Sequence, residues 1–278
     1  MRSLATYAMR GRRQAILTAF VTGLIPLVNL LTPALLGLVC LRHGPREALL
    51  VTAWAILPLA GWAMAGDVTP FILAAGVLAL AVTLRNTGRW NITLVGAVLI
   101  GVASEMVLRM RPEFMAGILD QLEGMMAENA GSGEPYGRED MQVLLYSLFG
   151  VVHMFLAISL TMLARWWQAL LYNPGGFRQE FHGLRLPPRL AMTLAALFLA
   201  ASFGVPVLAG WVLYFVMPLF FAGLALVHGL VGLKRLSGLW LGAFYLLLLS
   251  PVVAQLLTVA ALFDSWYDFR NRVEATDE

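Results

Sequence analysis

The places where this sequence can do chemistry are the few ionisable side chains set inside long apolar runs. Glu105 lies near the end of the apolar run 91–108, and His153 sits in the middle of the run 141–164. A carboxylate and an imidazole at membrane depth can bind a polar ligand or relay a proton. A charge there is costly and persists only with a partner or a role. Glu105 has a bland partner in Arg109, one helical turn on. His153 can equally be a neutral side chain hydrogen-bonded to a neighbouring helix. Asn29 stands between Pro26 and Pro33 and caps a turn there. Asn29, Glu105 and His153 form the candidate substrate-binding set. His228 and Gln255 read as polar contacts between helices. Asp264 and Asp268 stand at i, i+4 and could form a carboxylate pair. Their setting, FDSWYDFRNR, reads instead as interfacial ion pairing among aromatics.

Other chemistries lack their residues. The sequence has no HExxH, no GxSxG, no Walker A loop and no EF-hand loop. No enzyme and no cofactor is expected. Cys40 is the single cysteine, which excludes an intrachain disulfide, a thiolate zinc site and a CxxC pair. No metal site is expected.

The elements that must position these residues are membrane helices. Of 278 residues, 60% are apolar and only 13% charged, about half the charged share of a soluble chain. The formal net charge of +3 comes from basic residues scattered between apolar blocks, so it points to membrane topology rather than nucleic acid. Residues 1–13 form a basic leader with Arg2, Arg10, Arg12 and Arg13. The block Gln14 to Leu41 can be one long helix or a hairpin turning near Pro26–Pro33. The hairpin puts the leader and the connections at 42–47, 85–90, 165–189 and 234–236 on one side. That gathers fourteen of the nineteen basic residues. The positive-inside bias therefore predicts an all-α bundle of eight to nine transmembrane segments, with the N-terminus cytoplasmic and the C-terminus outside.

Two connections carry more than charge. Residues 112–128 hold Phe114, Ile118, Leu122 and Met125 on one stripe, with Met115, Leu119 and Met126 beside them. This predicts an acidic amphipathic helix on the outer surface, as a cap or a lid, followed by a GSGEPYG turn. In the other connection, Trp166 and Trp167 read as interface anchors. Asn173-Pro174-Gly175-Gly176 breaks the chain. Phe177, Phe181 and Leu184 then recur at helical spacing among Arg178, Glu180, His182 and Arg185. A short helix in the headgroup plane is predicted over 177–185, either as an anchored loop or as a docking surface.

The stretch LLYNPGGFRQEFHGLRLPP and the ending FDSWYDFRNR resemble the YybS-like family of bacterial multi-pass membrane proteins. That family is itself similar to the substrate-binding S components of energy-coupling-factor transporters and to the cell-shape protein MreD. The resemblance implies an S-component-like six-helix unit at 14–166, with ALLGLVCLRHGPREALL as its tight inner turn. The cytoplasmic loop 167–189 and about three added helices in 190–278 would follow. It implies an inner-membrane location and small-molecule binding as a transport subunit. Ala15 and Ala19 would face a transmembrane coupling subunit, and Phe177, Arg178, Phe181, His182 and Arg185 would serve partner docking. The alternative implied is an MreD-like scaffold that acts through protein partners.

Overall fold

The structure, a computed structural model, describes residues 2–128, 137–208 and 210–277. Among them every regular element is helical. The helices are α1 (Arg2–Ala8), α2 (Arg12–Leu24), α3 (Thr32–His43), α4 (Pro45–Met64), α5 (Thr69–Thr87), α6 (Trp90–Arg109) and α7 (Pro112–Glu128). After them come α8 (Arg138–Tyr172), α9 (Gly176–His182), α10 (Pro188–Ser202), α11 (Val212–Leu233), α12 (Gly238–Leu247), α13 (Pro251–Tyr267) and α14 (Phe269–Asp277).

The centre is α3, a short helix apolar on every side. Ten of its twelve residues, Thr32 to Leu41, are buried, which is how an all-apolar helix behaves when neighbours surround it. Helices α2, α4, α5 and α8 pack around it. Its last carbonyls are capped from outside. Arg85 Nη1 donates to the Leu41 carbonyl and Gln168 Nε2 donates to it at 3.0 Å. A cation at a helix C-terminus also meets the negative end of the macrodipole. Gly44, at φ 98°, turns α3 directly into α4, whose first residue is Pro45. That left-handed φ suits glycine, and the turn falls within the stretch where the family resemblance implies a tight turn.

Residues 14–41 form the predicted hairpin, with its bend at Ile25–Leu31. The number of long crossings is smaller than expected. Helices α4, α5, α6, α8 and α11 are long and apolar enough to span a bilayer, and the bent pair α12–α13 makes a sixth at most. Helices α2, α3 and α10 have 13, 12 and 15 residues, short of the ~20 a spanning helix needs. Five or six helices are thus long and apolar enough to cross, and the eight to nine crossings expected are not all matched by helices of that length.

The basic connections do gather at one end of the bundle, here called the basic end. Arg12 pairs with Glu47 at 2.6 Å. Arg165 and Trp90 both reach Glu180. Arg270 donates to the Leu184 carbonyl at 3.0 Å, and Arg185 pairs with Asp268. The last two contacts overturn the expected placement of the C-terminus. The run 237–263 is not one crossing but breaks by 116° between α12 and α13. The cause is Ser250-Pro251: Ser250 is forced into the β region (φ −81°, ψ 126°) and Pro251 starts a new helix. The chain therefore returns to the basic end.

Two further expectations change. Helix α8 runs for 35 residues, about 52 Å at 1.5 Å per residue. It carries Trp167 past the end of the apolar run and into the interior, where the indole is fully buried. Trp167 is a core residue and not an interface anchor. On α7 the buried face is Met115 and Leu119, packed with Leu108 and Tyr146, while Phe114 and Met125 are exposed. The expected stripe is rotated by one residue. The GSGEPYG turn lies outside the described residues apart from Gly137.

Candidate functional site

Glu105 is the best-built polar centre of the bundle. It lies on α6, one turn from the end opposite the basic end, and is 1% exposed. Oε1 accepts from Arg109 Nε at 2.9 Å and Nη2 at 2.6 Å. Oε2 accepts from Tyr214 Oη at 2.8 Å and from Trp211 Nε1 at 3.1 Å. Four donors meet two oxygens, so the carboxylate is saturated. The Arg109 guanidinium lies 4.4 Å from the centre of the Tyr146 ring, a cation–π contact. Tyr146 in turn belongs to the cluster under α7.

Local sequence explains how Tyr214 arrives there. Gly101 on α6 and Gly150 on α8 face each other, and the fully buried ring of Tyr214 fills the slot they leave. A Cβ at Gly101 would lie 2.6 Å from Tyr214 Cε1. A Cβ at Gly150 would lie 1.7 Å from Tyr214 Oη and 2.7 Å from the Gly101 carbonyl oxygen. Ser147 Oγ also donates to the Gly210 carbonyl. Helix α11 is thereby bolted to α6 and α8, and the buried apolar cluster runs continuously from Ala5 to Ala261.

No hydrogen bond joins the predicted substrate set, Asn29, Glu105 and His153, among the described residues. Asn29 is buried in the turn of the first hairpin. His153 is 2% exposed, and its Nδ1 contacts the Phe149 carbonyl at 2.7 Å. That carbonyl can only accept, so Nδ1 carries the proton and Nε2 is left as a buried acceptor without a partner. Glu105 keeps its bland role as Arg109's partner, with two aromatic donors the sequence did not announce.

Space for a ligand exists elsewhere. A groove of about 770 Å³ opens sideways between α4, α5 and α6, in the half of the bundle away from the basic end. Its walls are small residues, among them Ala60, Ala75, Ala79 and Ala103, with Phe71 and Ile100. Ser104 lines it but spends its hydroxyl on the Ile100 carbonyl at 2.7 Å. Arg111 stands at the mouth and makes no ion pair among the described residues. Such a groove suits an apolar body with an anionic end. Among the described residues no His/Cys/Asp/Glu group could hold a metal ion.

The predicted docking residues are mostly engaged inside the chain. Ala15 and Ala19 are 6% and 1% exposed, on a helix that packs against α4. They are not a free face for a coupling subunit. Phe177 stacks on Phe181 and meets Trp90 edge-on, and Phe181 meets His228. Helix α9 thus rests its apolar face on α11 and Trp90, where a headgroup layer is expected. Arg185 is paired with Asp268. Arg178 and His182 converge over Gly232 of α11: a Cβ there would lie 2.8 Å from His182 Nδ1 and 3.6 Å from Arg178 Nη2.

Comparison of the chain with protein-family models, with curated proteins and with solved structures found no match.

Proposed function

We propose that this chain is a transport-related membrane subunit that binds a small molecule with an apolar body and an anionic end. The observation that carries this reading is the lateral groove between α4, α5 and α6, with Arg111 at its mouth. Its volume of about 770 Å³ falls within the ~300–1,000 Å³ of ordinary ligand sites. An apolar wall without a spare hydrogen bond rejects a polar ligand, because the ligand's own polar groups would go unpaired. The six helices α2–α6 and α8, with a short first pair, support the S-component-like reading of this unit. The arginine-rich end supports a cytoplasmic placement in a bacterial inner membrane. Under this reading Glu105 and His153 build the scaffold and do not touch the ligand.

The test is groove filling. The purified chain and its Ala75→Trp and Ala103→Trp variants are titrated with a long-chain polyene fatty acid whose emission rises in apolar surroundings. Both side chains face the groove and are exposed, so filling leaves the core intact. Saturable binding is expected in the wild type and about tenfold weaker binding in the variants, with Arg111→Gln weakening it less. Identical titration curves for all four proteins would refute the groove. An MreD-like scaffold is the second reading, favoured by the complete internal pairing of Glu105.

A further inference from the structure

We propose that the cavity between α9, α11 and α12 at the basic end binds a phosphate-type anion through Arg178, His182 and Arg235. The cavity has a volume of about 480 Å³, and its lining contains no carboxylate. It is remote from the α4–α6 groove and rests on different observations.

The geometry assembles cations that nothing among the described residues neutralises. Arg178 and His182, one helical turn apart on α9, meet over Gly232. Gly232 and Gly229 of α11 are the seats that let α9 come this close. A Cβ at Gly229 would lie 2.9 Å from the His182 carbonyl oxygen and 3.2 Å from Arg270 Cδ. Arg235 joins from the chain just after α11, held at φ 50°, a left-handed backbone costly for a non-glycine residue. His228 closes the floor, its Nε2 at 2.8 Å from Tyr245 Oη of α12. The acids nearby are already committed. Glu180 serves Arg165 and Trp90, Asp264 serves Arg270, and Asp268 pairs with Arg185. Among the described residues no ion pair or side-chain hydrogen bond reaches Arg178 or Arg235.

Arg178 and Arg235 are exposed, so solvent screens part of the repulsion between like charges with no acid beside them, and a dianion between them turns what remains into attraction. A phosphate group offers the planar arginines bidentate acceptors and His182 a third contact. The His182 imidazole lies among these groups. Burial first, and then Arg178, His228 and Arg270, hold its pKa below the usual 6.5. Facing it are Arg178 from α9, His228 from α11, Tyr245 behind His228 on α12, Arg235 and Arg270. An arriving anion raises that pKa, so by linkage anion affinity grows as pH falls toward the lowered His182 pKa.

The anion can be a lipid headgroup at the membrane surface or a free phosphate compound, and the experiment separates them. The full chain is reconstituted in nanodiscs of phosphatidylcholine, with or without phosphatidic acid, and its unfolding midpoint is followed against inorganic pyrophosphate. A rise with pyrophosphate in neutral discs assigns a soluble ligand. A rise with phosphatidic acid alone assigns a headgroup. In either case Arg178→Gln and Arg235→Gln should require about tenfold more anion, while Lys234→Gln, outside the lining, keeps the wild-type response. Without anion both variants should be at least as stable as the wild type, since each removes repulsion. Sulfate, whose charge is constant over this range, should bind more tightly as pH falls toward the lowered His182 pKa. No stabilisation by either anion form, equal loss in Lys234→Gln, wild-type behaviour of both arginine variants or, where pyrophosphate stabilises, a sulfate response flat with pH would overturn the proposal.

Discussion

Replacing Glu105 by glutamine isolates what the saturated carboxylate does. Glutamine keeps one acceptor and turns the other oxygen into a donor. With its oxygen toward Arg109, the new amide faces Trp211 Nε1 and Tyr214 Oη. The tyrosine hydroxyl can rotate and accept, but the indole N–H cannot. With the amide turned the other way, it confronts the Arg109 guanidinium. Either orientation leaves one buried donor without an acceptor, which costs about 1–3 kcal/mol. The lost ion pair adds less, because the Arg109 side chain is 41% exposed and solvent screens it. The total is about 1–4 kcal/mol. Trp211→Phe removes the donor that Glu105→Gln strands, so the double variant should be less destabilised than the sum, by about 1–2 kcal/mol. The assay is thermal and denaturant unfolding of the purified proteins, with fatty-acid titration alongside. Strict additivity with a cost below about 0.5 kcal/mol would refute the four-donor geometry. Undiminished stability with lost ligand binding would return Glu105 to the binding site the sequence suggests.

Two other outcomes follow from the same structure. Gly150→Ala should cost about 3 kcal/mol or more, because its Cβ would overlap Tyr214 Oη and crowd the Gly101 carbonyl. Gly117→Ala, with nothing within 4 Å, should be neutral or stabilising, and equal unfolding midpoints for the pair would contradict the Tyr214 slot. For sidedness, Gln179→Cys and Asn271→Cys should react with an impermeant maleimide from the same side of the membrane, and Met110→Cys from the opposite side. Buried Cys40 stays silent, and labelling of Asn271→Cys from the Met110 side would break the return of the chain to the basic end.

The readable parts of the sequence were those set by local rules. The hairpin at Pro26–Pro33, the glycine turn at Gly44 and the i+4 partnership of Glu105 and Arg109 each depend on neighbours within a few residues. Trp211 and Tyr214 reach Glu105 from more than a hundred positions away, and no periodicity announces them. A faint signal existed in Gly101 and Gly150, two small residues in different apolar runs that leave room for one large ring. The break at Ser250-Pro251 was written in the sequence, but uniform apolar composition on both sides masked it. On α7 two adjacent rows are both apolar, so only packing on Tyr146 and Leu108 selects Met115 and Leu119. The groove is a matter of small side chains, Ala75, Ala79 and Ala103, whose significance appears only when three helices fail to close over them.

The distribution of pairing separates two uses of positive charge in this chain. Arginines that serve only to set topology gain nothing from proximity to one another, and long exposed side chains spread into solvent to reduce repulsion. Arg12 and Arg165 behave as structural cations, each on a carboxylate of the chain. Arg178 makes no ion pair among the described residues; its exposed side chain lies over Gly232 beside His182, while Arg235, also exposed, holds a left-handed backbone at the same cavity. No acid of the chain stands beside these exposed cations among the described residues, so solvent and salt screen them in part. A bound anion is the attraction we propose there, and the pyrophosphate and phosphatidic acid titrations measure it directly.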